Sequence, residues 1–302
     1  MRAWQFSKPK TPGFGISSAY YLSVLSSRAT LPPIREVVNP KGTGGAVEGF
    51  GVPLMAGSDK DDLDRPMERG AYALASKDQK TVLRLMVISK EEAGFDPEAI
   101  TRSAMAAQLG PEEMARIRAT WTLCQLTFES HHPMVAPGLD FLLGVAERLG
   151  TLCEGMIADA VSQRYLLPEQ VFAKRRPLVK LAIYPEEHVS INFRAREDGI
   201  HAYTLGLQKF VFPELEISNL FEGDEEAAAL GLLWLAQQML NGAKVEAGFE
   251  VGAPTMPFEI SHGGFDKGLW EGTPVFELLP PTTVTSSEAV QAWAKEIERL
   301  SG

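Results

Sequence analysis

Histidines are the side chains of this sequence best suited to acid-base or metal chemistry near neutral pH, and the chain has five. His131 and His132 stand side by side at the end of a predicted strand. Adjacent side chains on a strand diverge, so this pair is poorly placed to bind one metal ion together. His262 precedes two glycines, Gly263 and Gly264, where a backbone can approach a ligand closely.

A catalytic site from these residues requires that separate loops converge. In that case His132 and His262 would lie close together, and either Asp159 or Asp266 would complete a metal or acid-base site. This arrangement predicts a metal-dependent or general acid-base hydrolase. The alternative interpretation is that all five histidines are ordinary polar residues on loops and strand ends.

The sequence lacks the motifs of the enzyme classes that are most easily recognised. It contains no Gly-x-Ser-x-Gly nucleophile elbow, no His-Glu-x-x-His pair, no Cys-x-x-Cys and no phosphate loop ending in Gly-Lys-Ser or Gly-Lys-Thr. We therefore expect no cofactor and no resident metal ion, and the sequence leaves open whether the protein is an enzyme.

The segment from His201 to Glu216 reads HAYTLGLQKFVFPELE. From Tyr203 onward it resembles a motif of a bacterial protein family of unknown function, His-Thr-x-Gly-Leu/Met-x-x-Phe-Gly-x-Pro-Asp/Glu-Leu-Glu, which joins two strands ahead of an apolar helix. Tyr203 stands where the family often has His, and Val211 where it often has Gly. The resemblance extends over about residues 82–280 and implies a bacterial origin and an architecture, but no chemistry.

Most residues of this segment have a structural explanation. Gly206 suits a positive φ or a close approach, whereas Thr204, Gln208 and Glu214 are left to contact a ligand. Upstream, Arg164 and Tyr165 either pair with an acid and pack on a sheet, or line a cleft between two halves. The ligand-binding candidates of the whole chain are His132, Arg164, Tyr165, Thr204, Gln208, Glu214 and His262.

Composition and charge point to a soluble globular protein. The 302 residues are 45% hydrophobic and 23% charged, and no apolar run is long enough to cross a membrane. Residues 1–80 carry 11 Lys and Arg against 8 Asp and Glu, and the remainder carries 18 against 31. Such an acidic body disfavours nucleic acid and permits a basic protein partner. The alternative is that the charge serves solubility alone.

The N-terminus and the cysteines bear on location. Residues 1–35 contain five basic residues and no acid, which is a composition also found in transit peptides. Prolines and glycines interrupt any helix there, so the sequence leaves open whether this stretch is a tail, a targeting segment or part of the fold. Cys124 and Cys153 lie in apolar stretches, which favours two buried thiols and a cytoplasmic location.

The order of predicted elements favours an α+β (mixed α/β) protein with two α/β halves, whose mixed or antiparallel sheets are flanked by helices. Residues 1–80 are expected to form a loop-rich extension that packs on the body. The first half is expected over 81–176 and the second over 177–302. The second half includes an apolar helix over 225–240 and ends in a helix that begins with a Thr285/Glu288 capping box.

Three functional hypotheses follow. The first is a non-catalytic binding or interaction protein, regulatory or immunity-like, with a basic protein partner. The second is the hydrolase that uses the loop histidines, and the third is a structural accessory domain that binds nothing tightly. The oligomeric state cannot be deduced from the sequence.

Overall fold

The computed structural model describes most of the chain and confirms the predicted α+β class. The described residues are 15–17, 20–38, 52–53, 64–76, 80–103, 106, 109–130, 135–172 and 183–301. The chain divides into two compact units, Ser18–Leu181 and Ala182–Gly302, the second joined by Met1–Ser17. Each unit contains one sheet. No helix within the described ranges has both the length and the apolar character needed to cross a bilayer.

The unit Ser18–Leu181 is built on a seven-stranded sheet in which every described pair of neighbouring strands is antiparallel. Its elements are β1 (Tyr21–Ser26), α1 (Ile34–Val37), β2 (Val52–Pro53), β3 (Gly70–Ala75), β4 (Val82–Ser89), α2 (Pro97–Thr101), α3 (Pro111–Arg118), β5 (Thr122–Ser130), α4 (Val135–Leu152), β6 (Met156–Asp159) and β7 (Arg164–Leu166). The strand order is β2-β3-β4-β5-β1-β6-β7. The long helix α4 packs against β1 and β6.

Residues Tyr21–Ser26, which were expected to belong to a loop-rich extension, form strand β1. It is an inner strand of the sheet, and Val24 pairs with Cys124 of β5 on one side and with Ile157 of β6 on the other. Its serines at positions 23 and 26 are buried although they interrupt the apolar pattern. An inner strand has both edges hydrogen-bonded to neighbours, so the backbone pairing compensates for a weak side-chain pattern. These residues are therefore part of the fold.

The two cysteines are free thiols buried in this unit. Burial raises the pKa of Cys124, and the nearby Cys153 raises it further. Burial likewise raises the pKa of Cys153. Because the thiolate is the reactive form, both positions are predicted to be inert packing residues.

The unit Ala182–Gly302 is built on a six-stranded mixed sheet. Its elements are α5 (Pro185–His188), β8 (Ser190–Arg196), β9 (Gly199–Leu205), β10 (Glu214–Leu220), α6 (Glu225–Leu240), β11 (Glu250–Ala253), β12 (Met256–His262), α7 (Lys267–Trp270), β13 (Val275–Leu279) and α8 (Ser286–Ser301). The strand order is β11-β12-β13-β10-β9-β8. The β10–β13 pair is parallel, and the other neighbours are antiparallel.

Helices α6 and α8 cover one face of this sheet with an apolar core. The apolar helix α6 has the bounds that the sequence predicts. The predicted capping box at the start of α8 is also present, because the Thr285 amide donates to the Glu288 carboxylate and the Glu288 amide donates to the Thr285 hydroxyl. The two helices meet where Gly231 faces the ring of Trp293, which is 2% exposed. The opposite face is polar and is covered in part by the loop that contains α7.

Replacing Gly231 by Ala is predicted to destabilise the protein by about 1–2 kcal/mol, although the same change in an open helix would stabilise it by about 1 kcal/mol. The new Cβ would lie 2.6 Å from Cε3 of the Trp293 ring, and that buried ring has little room to move. Urea denaturation measures the change. A double-mutant cycle with Trp293→Leu provides the control, since the smaller side chain should remove most of the cost. Equal or greater stability of Gly231→Ala would contradict the close helix contact.

Candidate functional site

The loop histidines do not form the expected site within the described residues. His132 lies outside them, so the structure does not place it. His262 is an exposed residue at the end of β12, and its ring centroid is 6.0 Å from that of Phe276. Phe276 packs against the apolar core below α6 and α8. His262 is therefore on the helix-covered side of the sheet, away from the polar face.

The two aspartates proposed beside these histidines are engaged elsewhere. Asp266 accepts hydrogen bonds from the first amides of α7 and pairs with Arg194 at 3.3 Å and Arg196 at 2.8 Å. Asp159 belongs to the other unit, where it accepts a hydrogen bond from the Ser162 amide. Among the residues that the structure describes, no group of three or more His, Cys, Asp or Glu side chains is arranged to hold a metal ion.

Arg164 and Tyr165 lie on β7 of the unit Ser18–Leu181. A guanidinium nitrogen of Arg164 is 3.6 Å from a carboxylate oxygen of Asp159, and its Nε donates to the Ser162 hydroxyl. Tyr165 packs against an apolar cluster that includes Leu25, and burial raises the pKa of its phenol. These contacts agree with the structural interpretation of the two residues, in which Arg164 pairs with an acid and Tyr165 packs against the sheet.

Glu214 is fully buried at the start of β10 and is surrounded by hydrogen-bond donors. Its carboxylate accepts from the Thr204 hydroxyl at 2.7 Å, from the Gly206 amide at 2.8 Å and from the Gln208 amide at 3.1 Å. The Thr204 hydroxyl also accepts from the Leu215 amide at 2.8 Å. The structure thus brings together Thr204, Gln208 and Glu214, and it does so in a hydrogen-bonded turn rather than at an open surface.

Gly206 makes this turn sterically feasible. Its φ is +128°, and a Cβ at this position would lie 2.3 Å from the His188 carbonyl oxygen. The 3₁₀ turn Leu207–Phe210 follows, and Val211 ends it with φ +63° and 71% exposure. A β-branched residue is strained in this left-handed conformation, which glycine adopts without cost.

Glu216, two residues along β10, has a separate set of donors. His201 Nε2 lies 3.0 Å from one carboxylate oxygen, to which Trp270 Nε1 donates at 2.7 Å. The Gly264 amide donates to the other oxygen at 2.7 Å. A Cβ on Gly263 would lie 2.4 Å from this carboxylate. The glycine pair after His262 therefore lets the backbone approach a buried acid of the protein itself.

The two buried acids differ in their electrostatics. Burial raises the pKa of Glu214, and its hydrogen bonds offset only part of that effect. Burial alone would also raise the pKa of Glu216, but the hydrogen bonds from His201, Gly264 and Trp270 outweigh it and lower the pKa below the usual value. Glu216 is consequently ionised at neutral pH.

A row of polar residues crosses the sheet beside Glu216. Register places Tyr203 of β9 on one side of Glu216 and Glu277 of β13 on the other. Burial raises the pKa of Glu277, and the negative charge of Glu216 raises it further, whereas a hydrogen bond with Ser218 acts in the opposite direction. Within the described part of the unit, the Glu277 carboxylate forms no ion pair.

Glu277 also lines a cleft of about 320 Å³ at the end of the sheet. The cleft lies between the end of β13, the end of β10 and the start of α8, and its lining includes Asp198, Ser218, Phe221, Glu277, Leu279 and Ser286. Phe221 is 61% exposed and Leu279 is 41% exposed. Two acids and two exposed apolar side chains thus surround one concave surface.

Four residues of this polar face were not predicted from the sequence: Glu216, His201, Trp270 and Glu277. The sequence did contain a signal for Glu216 and His201. His201 and Tyr203 are two residues apart on one predicted strand, and Glu214 and Glu216 are two apart on the next, so each pair lies on one face of the sheet. Trp270 and Glu277 had no comparable signal, since they reach Glu216 only through the parallel pairing of β10 with β13 and the loop before it.

Thr204→Val is predicted to destabilise the protein by about 2–4 kcal/mol, because it leaves the Glu214 carboxylate and the Leu215 amide each short of a buried hydrogen bond. Valine has nearly the same shape, so the loss would be polar in origin. Urea denaturation at pH 7 measures it. Thr283→Val, on an exposed turn, is the control and should change stability by less than about 0.5 kcal/mol. Similar small effects for both variants would show that the Thr204 hydroxyl is unimportant.

Glu277→Gln is predicted to stabilise the protein at pH 7. A raised carboxyl pKa in the folded state means that stability is lost as the pH rises through that pKa, and glutamine removes this loss. We expect a modest gain, up to about 1 kcal/mol, because solvent screens a half-buried charge. Thermal unfolding between pH 4 and 8 measures it. The gain should shrink as the pH falls to 4, past the ordinary glutamate pKa of 4.5, because protonation removes the charge in both states. A gain that is constant with pH would contradict the assignment.

No protein-family model, curated protein or solved structure matches this chain.

Proposed function

We propose that this protein is a non-catalytic binding protein of the cytoplasm, regulatory or immunity-like, and that its partner is a basic protein. The observation that carries the proposal is the concentration of negative charge on one unit. Residues 182–302 contain 7 Lys and Arg against 19 Asp and Glu, a net charge of −12. Met1–Ser17, which belong to the same unit, add three basic residues and no acid, so the unit carries −9 of the −10 of the whole chain.

This charge favours one class of partner. The field of an acidic surface extends over a Debye length of about 8 Å at physiological salt, and it accelerates the approach of a positively charged surface. The same field repels phosphate backbones, which argues against DNA and RNA. A basic protein is thus the macromolecule that the unit attracts best.

The buried polar residues support a binding role over a catalytic one. The carboxylate oxygens of Glu214 and Glu216 accept hydrogen bonds from within the protein, and the Thr204 hydroxyl both donates and accepts. Groups that are already committed to one another are unavailable to a substrate. The conspicuous polar segment of the sequence is therefore best explained as structural support for the surface around it.

The alternative hypothesis is a hydrolase that uses His132 and His262. It requires that these side chains meet, and the exposed position of His262 beside Phe276 offers no described acid to orient it. The two hypotheses differ in what the purified protein should carry. A hydrolase of this kind would retain a metal ion or act on a substrate, whereas the binding protein would retain another protein.

Native mass spectrometry of the tagged protein, purified from its source cells without chelators at about 50 mM salt, tests the proposal. We expect a stoichiometric complex with a protein of high isoelectric point. The dissociation constant of the reconstituted complex should rise at least several-fold between 50 and 200 mM salt, because charge attraction is screened.

Three outcomes would count against the proposal. A complex whose affinity ignores salt would remove the electrostatic argument, and an acidic partner would reverse it. Extra mass that matches a metal ion or a small molecule would favour the hydrolase, and His262→Ala would then be assayed for loss of that mass.

A further inference from the structure

We propose that the cleft beside Glu277 binds one lysine or arginine side chain of the basic partner. This inference rests on the proposed function and specifies its contact. The cationic group would lie against the carboxylates of Glu277 and Asp198, and the aliphatic part of the side chain would lie along Phe221 and Leu279.

Glu277 and Asp198 form no ion pair within the described part of the unit, although other acids of the same unit, such as Asp266, pair with arginines. Arg196 attracts Glu277 only from beyond ion-pair distance, because its guanidinium is paired with Asp266. Glu277 is half-buried and stands directly beside Glu216 in the register of the sheet. Two neighbouring carboxylates repel each other, so a cation that enters the cleft relieves a cost that the free protein bears.

The apolar residues at the rim suit the rest of such a side chain. Phe221 and Leu279 are large, exposed hydrophobic residues on the same cleft. Lysine and arginine bury their methylene groups against apolar surface while the charged end stays in a polar environment.

Size and the nearby helix restrict the ligand further. A volume of about 320 Å³ is at the small end of ligand pockets, so it suits one long side chain rather than a nucleotide or a folded domain. The cleft touches the start of α8, and a free helix start attracts anions. Here the Glu288 carboxylate lies at that end of the helix, where it accepts from the Thr285 amide and hydroxyl and offsets part of the positive charge of the helix start.

The test uses the peptide Gly-Leu-Lys-Leu-Gly with blocked termini and a control peptide in which norleucine replaces the lysine. Norleucine keeps the methylene groups and removes the charge. Binding to the full chain is followed by amide chemical shifts in ¹⁵N NMR at 50 mM salt. We expect saturable shifts at the ends of β10 and β13 and at the start of α8. The lysine peptide should bind about tenfold more tightly than the norleucine peptide.

Two cleft variants and one matched control make the test specific. Glu277→Gln should weaken binding of the lysine peptide about tenfold, and Phe221→Ala, which alters an exposed side chain, should weaken it several-fold. Glu298→Gln is the control, because it removes the same charge from an exposed position on α8, twelve residues beyond Ser286 of the cleft. It should change the affinity less than twofold. Unfolding curves confirm that each variant is folded before its affinity is compared.

Equal affinity for the two peptides, no saturable shifts up to 5 mM lysine peptide, or unchanged binding by both cleft variants would overturn the inference. Measuring the complex with the native partner distinguishes a failure of the cleft from a failure of the proposed function. A salt-sensitive complex with a basic protein that Glu277→Gln and Phe221→Ala leave intact would keep the proposed function and move the contact elsewhere. The peptide titration judges the cleft by itself even if no basic partner is found.

Discussion

A carboxylate that is removed from water must find hydrogen-bond donors within the protein. Strand β10 buries two such carboxylates, those of Glu214 and Glu216. Much of the unit Ala182–Gly302 can be understood from this requirement. Glu214 needs the turn around Gly206, and Glu216 needs the loop that brings Gly264 and Trp270 to it. The loss of a donor leaves a buried charge incompletely solvated, which costs several times the net value of the bond itself. The polar face of the sheet is consequently as constrained as the apolar face.

Glu277 illustrates the opposite situation within the same row of side chains. Glu216 has donors on both oxygens, whereas its neighbour Glu277 has the Ser218 hydroxyl and a share of solvent. Selection for stability alone would not favour a second carboxylate at this place. A charge that weakens the free protein is readily explained if a partner compensates for it, and the apolar rim of the cleft is consistent with such a partner.

Elements with a strong local pattern could be predicted from the sequence, and long-range contacts could not. The apolar helix over 225–240 and the capping box at Thr285 depend on neighbouring residues, so their patterns are readable. Strand β1 was missed because the partners of Val24, Cys124 and Ile157, lie 100 and 133 residues away along the chain, and their backbone pairing compensates for the buried serines of β1. For the candidate site, Thr204 and Glu214 were identified, but the cleft was not. It forms where β10 and β13 become parallel neighbours, and no local pattern encodes that pairing.

The donors of the two buried acids emerge at different times during chain synthesis. The partners of Glu214 lie 6 to 10 residues before it, so this acid can be satisfied as soon as β9 and the following turn assemble. Gly264 and Trp270 follow Glu216 by 48 and 54 residues. Until that later segment has left the ribosome and docked, only His201 and water can donate hydrogen bonds to Glu216. The polar face of β10 stays exposed to solvent during this time. Chains truncated before Gly264 would therefore expose an unfinished polar face, a state that proteases and chaperones recognise.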